Sequence, residues 1–203
     1  MSIFPAKPGR KAALVLAVLV AGYAVGGLRA QEIIAPPFGL HWGDTPEKLI
    51  VWTTEHSLDL NIFIPGAQPG LRVLKIQPAQ GLLPDSPASS LEGKFLNGGL
   101  YEMTLHYTDP EANAEMMEQR FEKLRKQLTL EHGELKPNQQ RRVVDEQFVT
   151  RTQSFHREPI RGVFLLIAWT EVEDLLRKTR EARFSLIYRN DNFKKELEKK
   201  ARK

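Results

Sequence analysis

The sequence predicts an α+β fold: a mostly antiparallel sheet with two main helices packed on one face, a two-layer sandwich. Three observations point there. Tyr101, Met103, Leu105 and Tyr107 alternate with Glu102, Thr104 and His106, the period of a half-buried strand. Met117, Phe121, Leu124 and Leu128 recur at steps of four, three and four, an apolar stripe on one helix face. Most other apolar runs are separated by short turn-forming stretches, so hairpins should join neighbouring strands.

The first thirty residues stand apart from that fold. Lys7, Arg10 and Lys11 precede the apolar run 12–22, and small residues follow as far as Ala30. Basic, then apolar, then small is the order of a secretory signal, with a cut expected after Ala30. The alternative is an uncleaved inner-membrane anchor, because 12–28 reaches the lower limit for a span. Residues 31–37 then read as an extended arm, 38–190 as one α+β domain and 191–203 as a basic tail.

Charge follows the same division. Of 29 basic and 25 acidic residues, the four bases Lys7, Arg10, Lys11 and Arg29 lie in 1–30, which holds no acid. The rest of the chain is neutral, so its basic character gives no argument for nucleic-acid binding. Residues 31–109 carry nine acids and four bases, residues 110–203 carry 16 acids and 21 bases. Much of the second excess lies in the tail, which reads as a solvated terminal helix or as a contact for acidic surfaces or lipid headgroups. The chain has no cysteine, which excludes thiol catalysis, thiolate metal sites and the lipid-bearing Cys of a bacterial lipoprotein.

In chain order, 38–43 reads as a short strand with Phe38, Leu40 and Trp42 on one side. Thr45 then caps a helix with Pro46 at its first position, ending near His56. Residues 59–70 end in two Pro-Gly turn signals, and 71–76 is a strand. Residues 78–90, with three prolines and three serines, form a long irregular connection, of the kind that serves as a lid or partner contact when not simply mobile. Strands at 91–96 and 100–107 make a hairpin across Asn97-Gly98-Gly99. Asp109 and Pro110 are expected to open the long helix and His132-Gly133 to close it. Residues 134–142 read as a polar connection, 143–156 as a strand and 158–162 as a turn. Residues 163–169 look like a central strand covered on both faces. Residues 171–182 fit either a short helix or a hairpin connection, and 184–189 the last strand. The corners at 40–47 and 105–111 share Leu-His-aromatic, an acid and Pro-Glu, through an internal duplication or through the same capping physics used twice.

The run Phe38-Gly39-Leu40-His41-Trp42-Gly43-Asp44-Thr45-Pro46-Glu47 resembles the start of a group of exported bacterial domains of unknown function. In that group an aromatic-Gly-x-x-Trp-Gly strand enters a Ser/Thr-x-Glu helix start. A later Gly-Gly-Leu-Tyr strand, here Gly98-Gly99-Leu100-Tyr101, leads into an amphipathic helix. The likeness spans residues 38–133 and implies compartment and fold, but no chemistry. Small outer-membrane assembly lipoproteins have a similar helix start but carry the Cys that is missing here.

No catalytic signature is present: no Gly-x-Ser-x-Gly elbow, no phosphate loop and no His-Glu-x-x-His. His41 and His106 both alternate away from apolar neighbours, which would place them with Glu102 on the outer sheet face as a proton-transfer or metal cluster. Leu82, Leu83 and Asp85 in the long connection, with Trp42, form the candidate ligand or partner surface. Trp42, Trp52 and Trp169 read as core residues or as an aromatic floor under a ligand. The expectation is a periplasmic or secreted, non-enzymatic domain binding an envelope protein, without cofactor, metal or nucleic acid; a homodimer is left open. The alternatives are a hydrolase or metal enzyme built on His41, His106 and Glu102, and a membrane-tethered protein with a lipid-contacting tail.

Overall fold

The computed structural model describes residues 34–200. The expected leader, the first residues of the arm and the last three of the tail lie outside the described residues.

Helix α1 (Pro46–Glu55) starts where expected, with Thr45 extended before it and Glu47 in its first turn. Thr45 makes no side-chain cap, so the fixed φ of Pro46 and the acid near the helix N-terminus favour this start. The strand expected at 38–43 is not formed. Phe38 and Gly39 have φ of 62° and 66°, which breaks the extension, and the Asp44 carboxylate accepts the His41 N–H at 2.7 Å. That local bond closes a turn in place of a strand ladder. Gly43 and Asp44 still exchange backbone hydrogen bonds with Leu100, which moors the turn to the sheet.

The sheet has eight strands: β1 (Asp59–Phe63), β2 (Leu71–Gln77), β3 (Ser90–Leu96), β4 (Gly99–Tyr107), β5 (Lys136–Val144), β6 (Phe148–Ile160), β7 (Val163–Asp174) and β8 (Thr179–Asn190). Their order is β1-β2-β3-β4-β8-β7-β6-β5, and every neighbouring pair is antiparallel. The fold is therefore α+β with an antiparallel sheet. Asn97 and Gly98, at φ of 48° and 83°, form the two-residue turn of the β3–β4 hairpin.

Several sequence expectations need correction. Strand β1 lies in a stretch read only as turns, because Asp59 and Asn61 are poor strand formers and pairing with β2 overrides them. Strand β5 replaces the polar connection at 134–142; all nine residues are exposed, so no apolar alternation marks it. Strand β6 starts at Phe148 and continues through Pro159, beyond the turn expected at 158–162. Strand β7 alternates buried and half-buried residues, so it is not sealed on both faces. Residues 171–182 form the ends of β7 and β8 and their hairpin turn.

Helix α2 (Ala114–His132) ends at Gly133 as expected, but it begins four residues after Pro110. Its cap is Asn113, whose side chain accepts the Met116 N–H at 2.9 Å. Asp109 instead accepts the Glu111 N–H and a hydrogen bond from Arg120. The matching corners at 40–47 and 105–111 thus occupy different places relative to their helices.

The main core takes Leu49 from α1 and Met117, Phe121 and Leu128 from α2, against Leu74, Phe95, Met103, Leu165, Ile167 and Leu186 of the sheet. Gly93 makes room for α1: a Cβ there would lie 2.9 Å from Leu49. The expected basic tail is largely helix α3 (Asp191–Lys200), which is docked and not frayed. Its Leu197 is buried with Leu71, Val73, Leu96 and Tyr101 in a second, smaller cluster. Asn97 donates to the Leu197 carbonyl at 3.0 Å, and a Cβ at Gly99 would meet the Leu197 side chain. Among the described residues no helix is long and apolar enough to cross a membrane.

The two rival caps make separate forecasts. Asn113→Ala should lower the unfolding free energy by about 1 kcal/mol in urea titrations, the usual cost of a lost cap. Asp109→Ala should leave the helix content seen by circular dichroism unchanged.

Candidate functional site

The long connection at 78–89 is pinned at both ends of its apex. Leu83 and Ala88 are fully buried, and the Leu83 N–H donates to the Ala88 carbonyl at 2.9 Å. Ser89 ties the connection to β4: its N–H and hydroxyl donate to the His106 carbonyl at 2.8 and 2.9 Å, and its oxygen accepts the Thr108 N–H at 3.1 Å. The Thr108 hydroxyl then donates to Ser89 at 2.9 Å. A connection held this way can hold its remaining side chains out over a neighbouring surface.

Leu82 is the side chain it holds out, at 55% exposure. It stands at a cavity of about 710 Å³ between this connection, the 108–111 corner and α2. Tyr107, Phe184, Met117 and Leu124 supply the apolar lining, while Arg120, Lys123 and Gln127 lie on the α2 side. The size falls within the usual range for small-molecule sites, which are mostly apolar with a few polar groups. Burial pushes the Tyr107 hydroxyl well above its ordinary pKa, so it stays protonated. The Asp109 carboxyl is held below its usual range, first by Arg120 and then by the Glu111 amide. Asp109 is thus committed to a fixed corner, and Arg120 to the 2.8 Å ion pair with it.

Of the four expected surface residues, Leu82 alone lines this cavity. Leu83 is core, and Asp85 is exposed at a positive φ of 53°. Trp42 donates from Nε1 to the Ile34 carbonyl at 2.8 Å, which fastens the arm to the domain. Trp169 is buried beside Phe121 and Phe184, and Trp52 packs against Phe38. The α2 residues at the cavity escape sequence reading because Arg120 and Lys123 look like ordinary solvated helix positions.

The proposed histidine cluster is not assembled. His41 is exposed, next to Asp44 and Lys48. Glu102 binds Lys94 at 2.6 Å and faces Arg189 at 3.7 Å. Burial pulls the Lys94 ammonium down, but the Glu102 hydrogen bond and the charges of Glu102 and Glu92 outweigh it and the net shift is upward. His106 Nδ1 lies 3.0 Å from the Ser185 hydroxyl, and burial lowers its pKa. Ser185 is flanked on both sides by paired strands, whose ladders occupy the nearby amides. Among the described residues no group of three or more His, Asp or Glu side chains is gathered to hold a metal ion.

Comparison of the chain with protein-family models, with curated proteins and with solved structures finds no match.

The depressed pKa of His106 fixes a direction of pH dependence. Unfolded histidine takes up a proton near pH 6.5, before the buried one does. Stability should therefore fall as pH drops below about 6.5, and this loss should stop once His106 itself protonates. Urea titrations of wild type and His106→Gln should diverge in that window and run parallel above it.

Proposed function

We propose that this is a non-enzymatic binding domain of the cell envelope, which receives an apolar ligand group or side chain in the cavity beneath 78–89. In this reading the leader at 1–30 sends the protein to the periplasm or outside the cell, with a membrane tether as the alternative. Helices α1 and α2 serve as one layer over a single sheet face, and the cavity lies at that layer's margin.

The observation that carries the reading is the pairing of an exposed Leu82 with a lining of aromatic and aliphatic side chains on a pinned connection. A leucine left half in water beside such a lining gains free energy when a ligand covers it, at roughly 25 cal/mol for each Å² removed from water. At the wall Asp109 and Arg120 are committed to one another, which suits orientation of a ligand better than proton transfer.

A second reading, hydrolysis using His106, has the Ser185 hydrogen bond in its favour. Against it stands the position of that pair within the strand ladders, away from free amides that could stabilise an oxyanion.

Titration with an apolar fluorescent probe such as an anilinonaphthalene sulfonate separates the two. Saturable one-site binding is expected for wild type. Leu82→Asp and Leu124→Asp should each weaken it about tenfold, equivalent to about 1.4 kcal/mol. His106→Ala should bind as wild type does. Absence of saturable binding, or equal binding by the aspartate variants, would remove the proposal.

A further inference from the structure

The two edges of the sheet differ in a way that bears on self-association. A sheet edge presents unpaired N–H and C=O groups, and natural proteins guard such edges with charge, proline or bulges. Strand β5 has all three: Lys136, Arg141 and Arg142 without an acid, Pro137, and a register shift between Pro137 and Gln139. Two copies meeting at β5 would set like charges against each other.

Strand β1 is unguarded. After Asp59 it runs Leu60-Asn61-Ile62-Phe63 without a charge, and Ile64 follows just past its end. Ile62 and Phe63 are 53% and 58% exposed on this sheet edge, and Ile64 just past it is 63% exposed. On its inner side β1 is paired with β2, where Ile62 lies opposite Leu74 and Phe63 opposite Val73, both buried. Among the described residues no strand pairs with its outer side.

We infer that two copies of this chain pair through β1, antiparallel and centred on Ile62. Strand periodicity puts Leu60 and Ile62 on one side of the strand, and Ile64 joins them when pairing extends β1 by one residue. In the centred register Leu60 meets Ile64 of the second copy, Ile62 meets its own counterpart, and Ile64 meets Leu60. Six aliphatic side chains then form one row, and the edge amides and carbonyls find partners. Asp59 lies beyond the paired segment, so no like charges meet. The result is a continuous sixteen-stranded sheet with a two-fold axis at its centre. Five-residue strands bury a small area, so the dimer belongs to the weak, concentration-dependent class. The inference does not depend on the cavity.

Sedimentation velocity on the full chain, from low micromolar to near-millimolar concentration, tests it. The weight-average mass should climb toward twice the monomer value. The double variant Ile62→Lys, Phe63→Lys should stay monomeric with an unchanged circular dichroism spectrum, since both side chains are exposed. Because the chain has no cysteine, a second measurement reads the register. Ile62→Cys should form an intermolecular disulfide on oxidation, since cross-strand Cα separations of about 4.5–5.5 Å suit that bond. Gln140→Cys on β5 should not. A monomer at every concentration overturns the inference and leaves the edge to an extended segment of another protein. A dimer indifferent to the lysines, or one crosslinked as readily through Gln140→Cys, overturns it as well.

Discussion

The burial of Phe121 is the interaction on which the rest of this fold depends. Its ring lies 5.4 Å from Trp169, 5.6 Å from Phe184 and 6.2 Å from Phe155, so one α2 side chain touches β7, β8 and β6. Tyr107 stacks on Phe184 at 4.5 Å and brings β4 into the same group. Pairs of this kind contribute roughly 0.5–1.5 kcal/mol beyond their area. Four strands and the long helix therefore share one aromatic cluster, and it spans the joint between β4 and β8. On its far side Arg125 lies over the Phe155 ring at 4.7 Å, which closes the cluster toward water.

The cavity follows from the shape of that cluster. Tyr107 and Phe184 belong to it, and with Met117 of the core they also line the cavity beside the 78–89 connection. The connection does not fill the gap, because Leu83 and Ala88 fold inward while Leu82 points out. Elsewhere polar groups are paired closely. Glu171, buried between Arg151 and Arg180, feels burial raising its pKa, but the two arginines overcome this and hold the carboxyl low. Lys94, Glu102 and Arg189 form a comparable chain across β3, β4 and β8. The cavity thus joins an apolar lining of Tyr107, Phe184, Met117 and Leu124 to the polar side chains Arg120, Lys123 and Gln127 of α2.

The legible parts of the sequence were those with a strong period or an obligatory turn residue. The stripe from Met117 to Leu128, the alternation from Tyr101 to Tyr107, the Asn97-Gly98 turn and the Gly133 helix end all stand in the structure. Failures came where two capping residues competed, as Asp109 did with Asn113, and where a strand had no apolar face, as in β5. Strand β1 was hidden by Asp59 and Asn61. The 78–89 connection could be read as irregular and its Leu82 and Leu83 as contact residues, but neither the burial of Leu83 nor the far wall of the cavity could. Arg120 and Lys123 line it beside the apolar stripe of α2, at positions that read as solvated until the fold of the 78–89 connection is known.

The strand order holds a consequence for how the molecule assembles. Helix α1 with β1 to β4, and helix α2 with β5 to β8, are two helix-plus-meander halves that meet only along β4 and β8 among the strands. Leu105 must find Leu186 across the whole second half of the chain, a closure that is entropically slow. On a ribosome the first half would emerge with β4 as a bare edge and wait for its partner strand to be synthesised. Glu102, Thr104 and His106 make one face of that waiting strand polar. The seam at β4 and β8 is therefore where a chaperone would have most to protect and where a misassembled chain would first exchange halves with another.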